Sequence, residues 1–233
     1  MIAFDRRTLL MCIAAAVATA TAPRAFADPL PAAHLPAPNG VLSRLPADSG
    51  NSLALTVDGV STEVVGAFAQ FCRDSAARLT FFVNGANASW ATNAPAIRAM
   101  VESGQIQVAN HTWSHPYITK LTLPEVADQI KRNADFPQNT YGVDGTPYFR
   151  PPYGLHNPDT DRVAADLGYH TVTLWSGTVG DSRPITEDGL IAALQGRSRP
   201  NRSCWPTRTC PRLPTPTTRC STSSVAAICK PLR

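Results

Sequence analysis

Two histidines four residues apart, in the run Asn110-His111-Thr112-Trp113-Ser114-His115, are the first residues whose spacing suggests chemistry. One helical turn would bring both imidazoles to the same side, where they can grip one divalent cation, and zinc suits such donors. Such pairs also arise by chance, so the spacing alone leaves a ligand role and a plain polar pair equally open. Asp58, in Thr56-Val57-Asp58-Gly59, could complete a two-histidine, one-carboxylate site with a position left for water. An aspartate before glycine is otherwise a common turn residue. In Arg150-Pro151-Pro152-Tyr153-Gly154 two prolines stiffen the backbone after an arginine. That suits a guanidinium held in fixed orientation beside a carboxylate, with a rigid loop and a surface arginine as the alternative.

Each of these runs follows a short apolar stretch that reads as a strand. Leu53 to Val57 precedes Asp58, Ile106 to Ala109 precedes the histidines, and Tyr148-Phe149 precedes Arg150. Leu79 to Val83 and Tyr169 to Trp175 are two more. Helical patterns fall between them: after Ser61, with Val64, Phe68, Phe71 and Cys72 on one face; from Asn93 to Gly104; and from the capping box Thr122-Leu123-Pro124-Glu125 to about Ala134. Two further helices are expected from Pro158 to Leu167, stopped by Gly168, and from Thr186 to Leu194. Strand and helix in alternation imply an α/β chain with a parallel sheet or barrel, whose chemistry sits at the carboxyl ends of the strands.

The ends of the chain differ from this body. Within residues 1–27, Arg6-Arg7 precede an apolar run from Leu9 to Ala22, and Ala25-Phe26-Ala27 offers a cleavage site. The pattern is that of a signal peptide, twin-arginine-like, with an ordinary secretory signal as the alternative. The expected product is exported, secreted or cell-wall associated, with no membrane span left after cleavage. Residues 28–49 read as an extended Pro/Ala-rich leader, and 50–195 as the folded domain. The chain of 233 residues carries a formal +4. That charge is uneven, because 28–195 hold ten basic and sixteen acidic side chains while 196–233 hold eight basic and none acidic. An acidic body excludes a nucleic-acid reading built on overall charge. Residues 196–233 contain 8 Arg or Lys, 6 Pro, 4 Cys and 11 Ser or Thr, a composition expected to be a disordered basic tail. An out-of-frame translation would explain it. A disulfide-linked tail or a wall-binding tail are the rivals.

Taken in order, Thr56-Val57-Asp58-Gly59, Thr80-Phe81-Phe82-Val83, the His111–His115 run, Arg150-Pro151-Pro152-Tyr153-Gly154, Leu167-Gly168-Tyr169 and Trp175 resemble the polysaccharide deacetylases of the NodB-homology family, which are carbohydrate esterases. The resemblance covers about residues 50–195. It implies a distorted (β/α) barrel and metal-dependent removal of acetyl groups from sugars of a polysaccharide such as peptidoglycan or chitin. By the same resemblance Asp58, His111 and His115 hold a divalent metal, Asp58 being alternatively the catalytic base. Arg150 orients the base, and the backbone N–H of Tyr153 holds the oxyanion. Trp175 would line the acetyl pocket or be an ordinary core residue, and Trp113 and Tyr153 would offer faces to a pyranose ring. The expected partner is a polysaccharide or oligosaccharide, and the expected state a monomer.

Two departures from the family pattern matter. Its first motif has two adjacent acids where this chain has Asp58 alone, so one role is vacant and Arg150 is expected to lack an obvious partner. The family also ends with Leu-x-His on a last strand, whereas all five histidines here precede residue 171, which predicts a barrel incomplete at its C-terminal end. Impaired activity, a catalytically dead remnant or carbohydrate-binding protein, and a sugar O-acetyl esterase are the resulting alternatives.

Overall fold

Short apolar runs such as Leu79-Thr80-Phe81-Phe82-Val83 have too little polar surface to lie on a wet face, and the chain buries them as neighbours in one parallel sheet. The computed structural model describes residues 37–46, 53–59, 62–75, 77–178 and 202–205. Its strands are β1 (Gly40–Leu42), β2 (Leu53–Asp58), β3 (Leu79–Val83), β4 (Ile106–Asn110), β5 (Tyr148–Phe149), β6 (Thr171–Thr173), β7 (Gly177–Thr178) and β8 (Arg202–Trp205). They pair in the order β1-β6-β5-β4-β3-β2-β8-β7, every pair parallel. Helices α1 (Thr62–Ser75), α2 (Ala88–Thr92), α3 (Ala94–Glu102), α4 (Leu123–Tyr141) and α5 (Pro158–Asp166) fill the connections. This is the α/β architecture expected from the alternation. No helix among the described residues is long and apolar enough to cross a membrane.

The register at the sheet centre brings the site together. Phe81 pairs with both Val57 and Val108, and Asn110 pairs with Phe149 as well as Val83. Asp58, His111 and Arg150 therefore leave the same edge of the sheet within one residue of their strand ends. The larger apolar cluster packs Phe81 and Ile106 against Trp90 and Ile97, with the Phe81 and Trp90 rings 5.1 Å apart. A second cluster joins Ile118, Val126 and Ile130 to Phe149 and Tyr169.

Three expectations change, and one helix is new. Gly40–Leu42, read as leader, is the edge strand β1. It pairs with β6 from Gly40↔Thr171 to Leu42↔Thr173, and the Gly40 N–H donates to the His170 carbonyl at 2.9 Å. An unpaired edge accepts any extended backbone, even one whose Val41 stays 55% exposed. Arg202–Trp205, inside the segment expected to be disordered, is β8 and pairs with β2 from Leu53↔Arg202 to Leu55↔Cys204. Composition misleads there because a ladder is made by main-chain groups. Helix α4 runs on through Pro137 to Tyr141 rather than stopping near Ala134. A proline inside a helix costs about 3 kcal/mol. Burial of Val126, Ile130, Pro137 and Tyr141 on one stripe offsets it, as does the bond from the Tyr141 hydroxyl to the Trp90 carbonyl at 2.8 Å. The short helix α2, capped by Asn87, was not read from the sequence at all. The capping box at Thr122 and Glu125 is present as expected. The signal peptide, Ser61, the helix from Thr186 to Leu194 and the rest of the tail lie outside the described residues.

Candidate active site

Asp58, His111 and Arg150 meet at the strand ends, all but fully buried. Asp58 Oδ2 is 3.4 Å from His111 Nε2 and 3.4 Å from Arg150 Nη1. Contrary to expectation, Arg150 does have a carboxylate partner, and it is Asp58 itself. The guanidinium also donates from Nε to the Thr173 carbonyl at 3.2 Å and from Nη2 to the Leu174 carbonyl at 3.4 Å. Its Cζ lies 3.9 Å from the Phe82 ring centroid, so four contacts fix one side chain. Burial pushes the Arg150 pKa down to about 10 against the pull of Asp58, and the group stays charged at neutral pH.

His111 is held in one tautomer. Its Nδ1 lies 2.7 Å from the Arg150 carbonyl oxygen, which accepts and cannot donate, so Nδ1 carries the proton. Burial, with the Arg150 charge adding to it, lowers the His111 pKa to about 3 despite that hydrogen bond. The ring is neutral and its Nε2 lone pair faces Asp58 Oδ2. Two buried acceptors 3.4 Å apart repel unless something positive lies between them. A divalent ion with ligands about 2.0–2.1 Å away at tetrahedral angles separates two of them by about 3.4 Å. The donor set therefore fits a dication at Asp58 Oδ2 and His111 Nε2, with Nδ1 locked behind as such sites require. His115 lies alongside, its ring centroid 4.8 Å from that of His111 at 71°. Among the described residues, however, no three His, Cys, Asp or Glu side chains close to metal-binding spacing. The third ligand expected, His115, is adjacent rather than convergent.

The loops that carry these groups are strained. Thr112, His115 and Tyr153 have φ of 65°, 60° and 60°, in the left-handed region that costs a non-glycine residue about 1–2 kcal/mol. Side-chain amides hold the first loop. Asn84 donates to the His111 and Thr112 carbonyls, and the Thr112 N–H donates to Asn110 Oδ1 at 2.9 Å. Asn133, fully buried on α4, donates to Asn110 Oδ1 at 2.9 Å and to the Val83 carbonyl at 2.8 Å, and accepts from the Gly85 N–H at 2.7 Å. These asparagines were missed in the sequence reading. A signal was there for one of them: Asn133 falls on the stripe of Val126, Ile130, Pro137 and Tyr141, where a polar residue needs a reason. In the second loop Tyr153 stacks on Tyr117 with centroids 4.2 Å apart and planes 11° off parallel, and meets His115 edge-on at 4.5 Å. An aromatic pair contributes about 0.5–1.5 kcal/mol, the same size as the backbone strain it opposes.

The expected aromatic residues separate. Trp175 packs on Gly154, where a Cβ would come within 2.9 Å of its ring, and lies 5.8 Å from the Arg150 guanidinium. Gly154 also has φ +68°, so a side chain is disfavoured there twice over. Tyr153 remains 46% exposed beside the histidines. Trp113 instead sits against Gly85 with the Arg132 guanidinium 4.6 Å above its ring, the position of a packing residue.

Comparison with known proteins gives the chain its family. Residues 46–172 match the model of the polysaccharide deacetylase family. Over 112 residues the chain is 35% identical to chitin deacetylase 1 of Saccharomyces cerevisiae, covering 48% of this chain and 35% of that protein. It is 31% identical over 160 residues to the peptidoglycan-N-acetylglucosamine deacetylase of Listeria monocytogenes, covering 64% and 32%. The chain thus spans about a third of the length of these relatives. The family 4 carbohydrate esterase of Streptomyces lividans, solved with acetate, superposes with a TM-score of 0.58 at 27% identity, over 76% of this chain and 83% of that one. The matched family model takes in Asp58, His111, His115, Arg150 and Tyr153, and the chain belongs to the polysaccharide deacetylase family.

Proposed function

We propose that the protein is an exported, divalent-metal-dependent hydrolase that removes acetyl groups from N-acetylated sugars of a peptidoglycan- or chitin-like polysaccharide. The observation that carries the reading is the buried pair of acceptors, Asp58 Oδ2 facing neutral His111 Nε2 at 3.4 Å. Asp58 and His111 would hold the ion, His115 reaching it only if its ring turns in from its place alongside, and zinc matches these donor types. When bound, such an ion polarises the acetyl carbonyl and makes a water molecule acidic enough to attack at neutral pH. Arg150 keeps the Asp58 carboxylate ionised and aimed, so that this one group stands ready to accept a proton as well as to bind the ion. The Tyr153 N–H, on a backbone turned to φ 60°, is offered to the oxygen on which charge develops. Trp175 on Gly154 forms an apolar wall beside Arg150, suited to an acetyl methyl. Export rests on the Arg6-Arg7 signal, and a secreted or wall-associated product would meet its polymer there.

A second reading is favoured by the same carboxylate. One oxygen of Asp58 serves both His111 and Arg150, and loss of an independent base typically lowers a rate 10²–10⁴-fold. Binding of sugar without turnover is the outcome if Asp58 cannot fill both roles. Acetate release from an N-acetylated chitooligosaccharide, with added zinc and with chelator, tests the enzyme reading. Zinc-dependent release supports it, whereas binding of the oligosaccharide with no release under either condition supports the second. Release from acetylated xylan but not from the chitooligosaccharide would make the protein a sugar O-acetyl esterase, because the same site serves amide and ester.

A further inference from the structure

Tyr117 belongs to none of the motifs read from the sequence, yet it closes the link between the two site loops. Its ring stacks on Tyr153, Tyr153 meets His115 edge-on, and His115 meets His111, so four rings run from a half-exposed residue to a buried one. We propose that Tyr117 is a positioning residue, holding the Tyr153 backbone and the His115 ring in their working places. The proposal rests on the deacetylase reading and assigns Tyr117 an effect on the transition state rather than on sugar affinity.

Three features carry it. Both residues that the ladder joins, His115 and Tyr153, have left-handed backbones, a state that relaxes unless the side chains are held. The Tyr117 ring has Tyr153 stacked on it and Lys120 Nζ 4.9 Å from its centroid, two neighbours that fix where it lies. The prop has a firm base as well. The neighbouring Ile118 is fully buried, and the Tyr117 carbonyl accepts from the Lys120 N–H at 2.9 Å. A ring anchored at its backbone and stacked on Tyr153 transmits position.

The experiment compares the full chain with Tyr117→Ala, Tyr117→Leu and Tyr117→Phe. Hydrogen exchange reads the Gly154 and Leu155 amides, which donate to the Pro151 and Pro152 carbonyls at 3.0 and 3.1 Å. Loss of the stack should speed their exchange roughly tenfold in Tyr117→Leu and Tyr117→Ala, and Tyr117→Phe should leave it within about twofold. On the acetylated chitooligosaccharide kcat should fall by a similar factor with KM unchanged, again restored by Tyr117→Phe. Exchange that does not change in a variant with intact circular dichroism overturns the proposal. So does a raised KM at constant kcat, the mark of a sugar platform. If Tyr117→Ala does not fold, Tyr117→Leu, which keeps the apolar bulk, decides. If the unaltered chain releases no acetate, the deacetylase reading fails by itself and the exchange data still judge the prop.

Discussion

Replacing Asn133 by alanine should destabilise the protein by about 2–4 kcal/mol, although none of its hydrogen bonds goes to Asp58 or to either histidine side chain. The side chain is fully buried and makes three hydrogen bonds, to Val83, Asn110 and Gly85, between 2.7 and 2.9 Å. Each buried group left without a partner costs about 1–3 kcal/mol. The Gly85 N–H loses its acceptor, whereas the Val83 carbonyl keeps the His111 N–H at 3.1 Å. Asn110 Oδ1 keeps the Thr112 N–H. One stranded group and a small cavity give the range, a large part of a domain stability of roughly 5–15 kcal/mol. Urea unfolding followed by circular dichroism measures it, as a shift in midpoint at unchanged slope. Asn133→Asp should be at least as damaging, since a carboxylate oxygen would face the Val83 carbonyl and Asn110 Oδ1. A loss below about 1 kcal/mol for both variants would refute the claim that buried amides hold the His111 loop.

Gly85→Ala places a Cβ 2.2 Å from Trp113 Cζ3, and should lower stability by about 1–3 kcal/mol as the indole is pushed off its seat. Tryptophan fluorescence should shift with it, and an unshifted spectrum at full stability would contradict the packing. Arg150→Met strands the buried Asp58 carboxylate and should lower stability by about 3 kcal/mol, the lower end for a buried pair, because the 3.4 Å separation is long. A chemical-denaturation midpoint within experimental error of the unaltered chain would argue that the pair is idle. Glu125 accepts from the Thr122 N–H and hydroxyl, both at 2.8 Å, and these bonds hold its pKa below the ordinary value. The folded chain binds that proton less readily than the unfolded one. Its support of α4 is therefore complete above the ordinary carboxylate pKa and is lost as pH falls through the depressed one. Glu125→Gln should flatten that part of the acid-unfolding curve, and an identical curve would exclude the linkage.

The sequence was legible wherever a local pattern and the tertiary outcome agree. Leu79–Val83 and the strand before His111 are apolar runs with no alternative to burial, and the Thr122–Glu125 box satisfies its own helix end. Asp58, His111 and Arg150 were legible as a set because each follows such a strand, and parallel neighbours deliver their ends to one edge. What escaped depends on distant partners. Gly40–Leu42 and Arg202–Trp205 have no strand pattern of their own and are strands because β6 and β2 offer edges. Pro137 reads as a stop and is tolerated because Tyr141 beyond it is buried against Trp90. Arg150 was expected to lack a carboxylate because motif spacing counts acids along the chain. The fold instead lets one oxygen of Asp58 serve two groups. Trp113 was legible as an aromatic beside two histidines, but its seat on Gly85 is set by a residue 28 positions earlier.

The central claim is that neutral His111 and Asp58 share a divalent ion. Titration of the metal-free chain with zinc, read by calorimetry beside His111→Ala and Asp58→Ala, tests it most directly. The account predicts one ion per chain and a loss of at least about tenfold in affinity for either variant, since each removes a direct ligand where even an outer partner is worth about 10–100-fold. A chain that melts cooperatively yet takes up no zinc, or takes it up equally well without His111, would contradict the account.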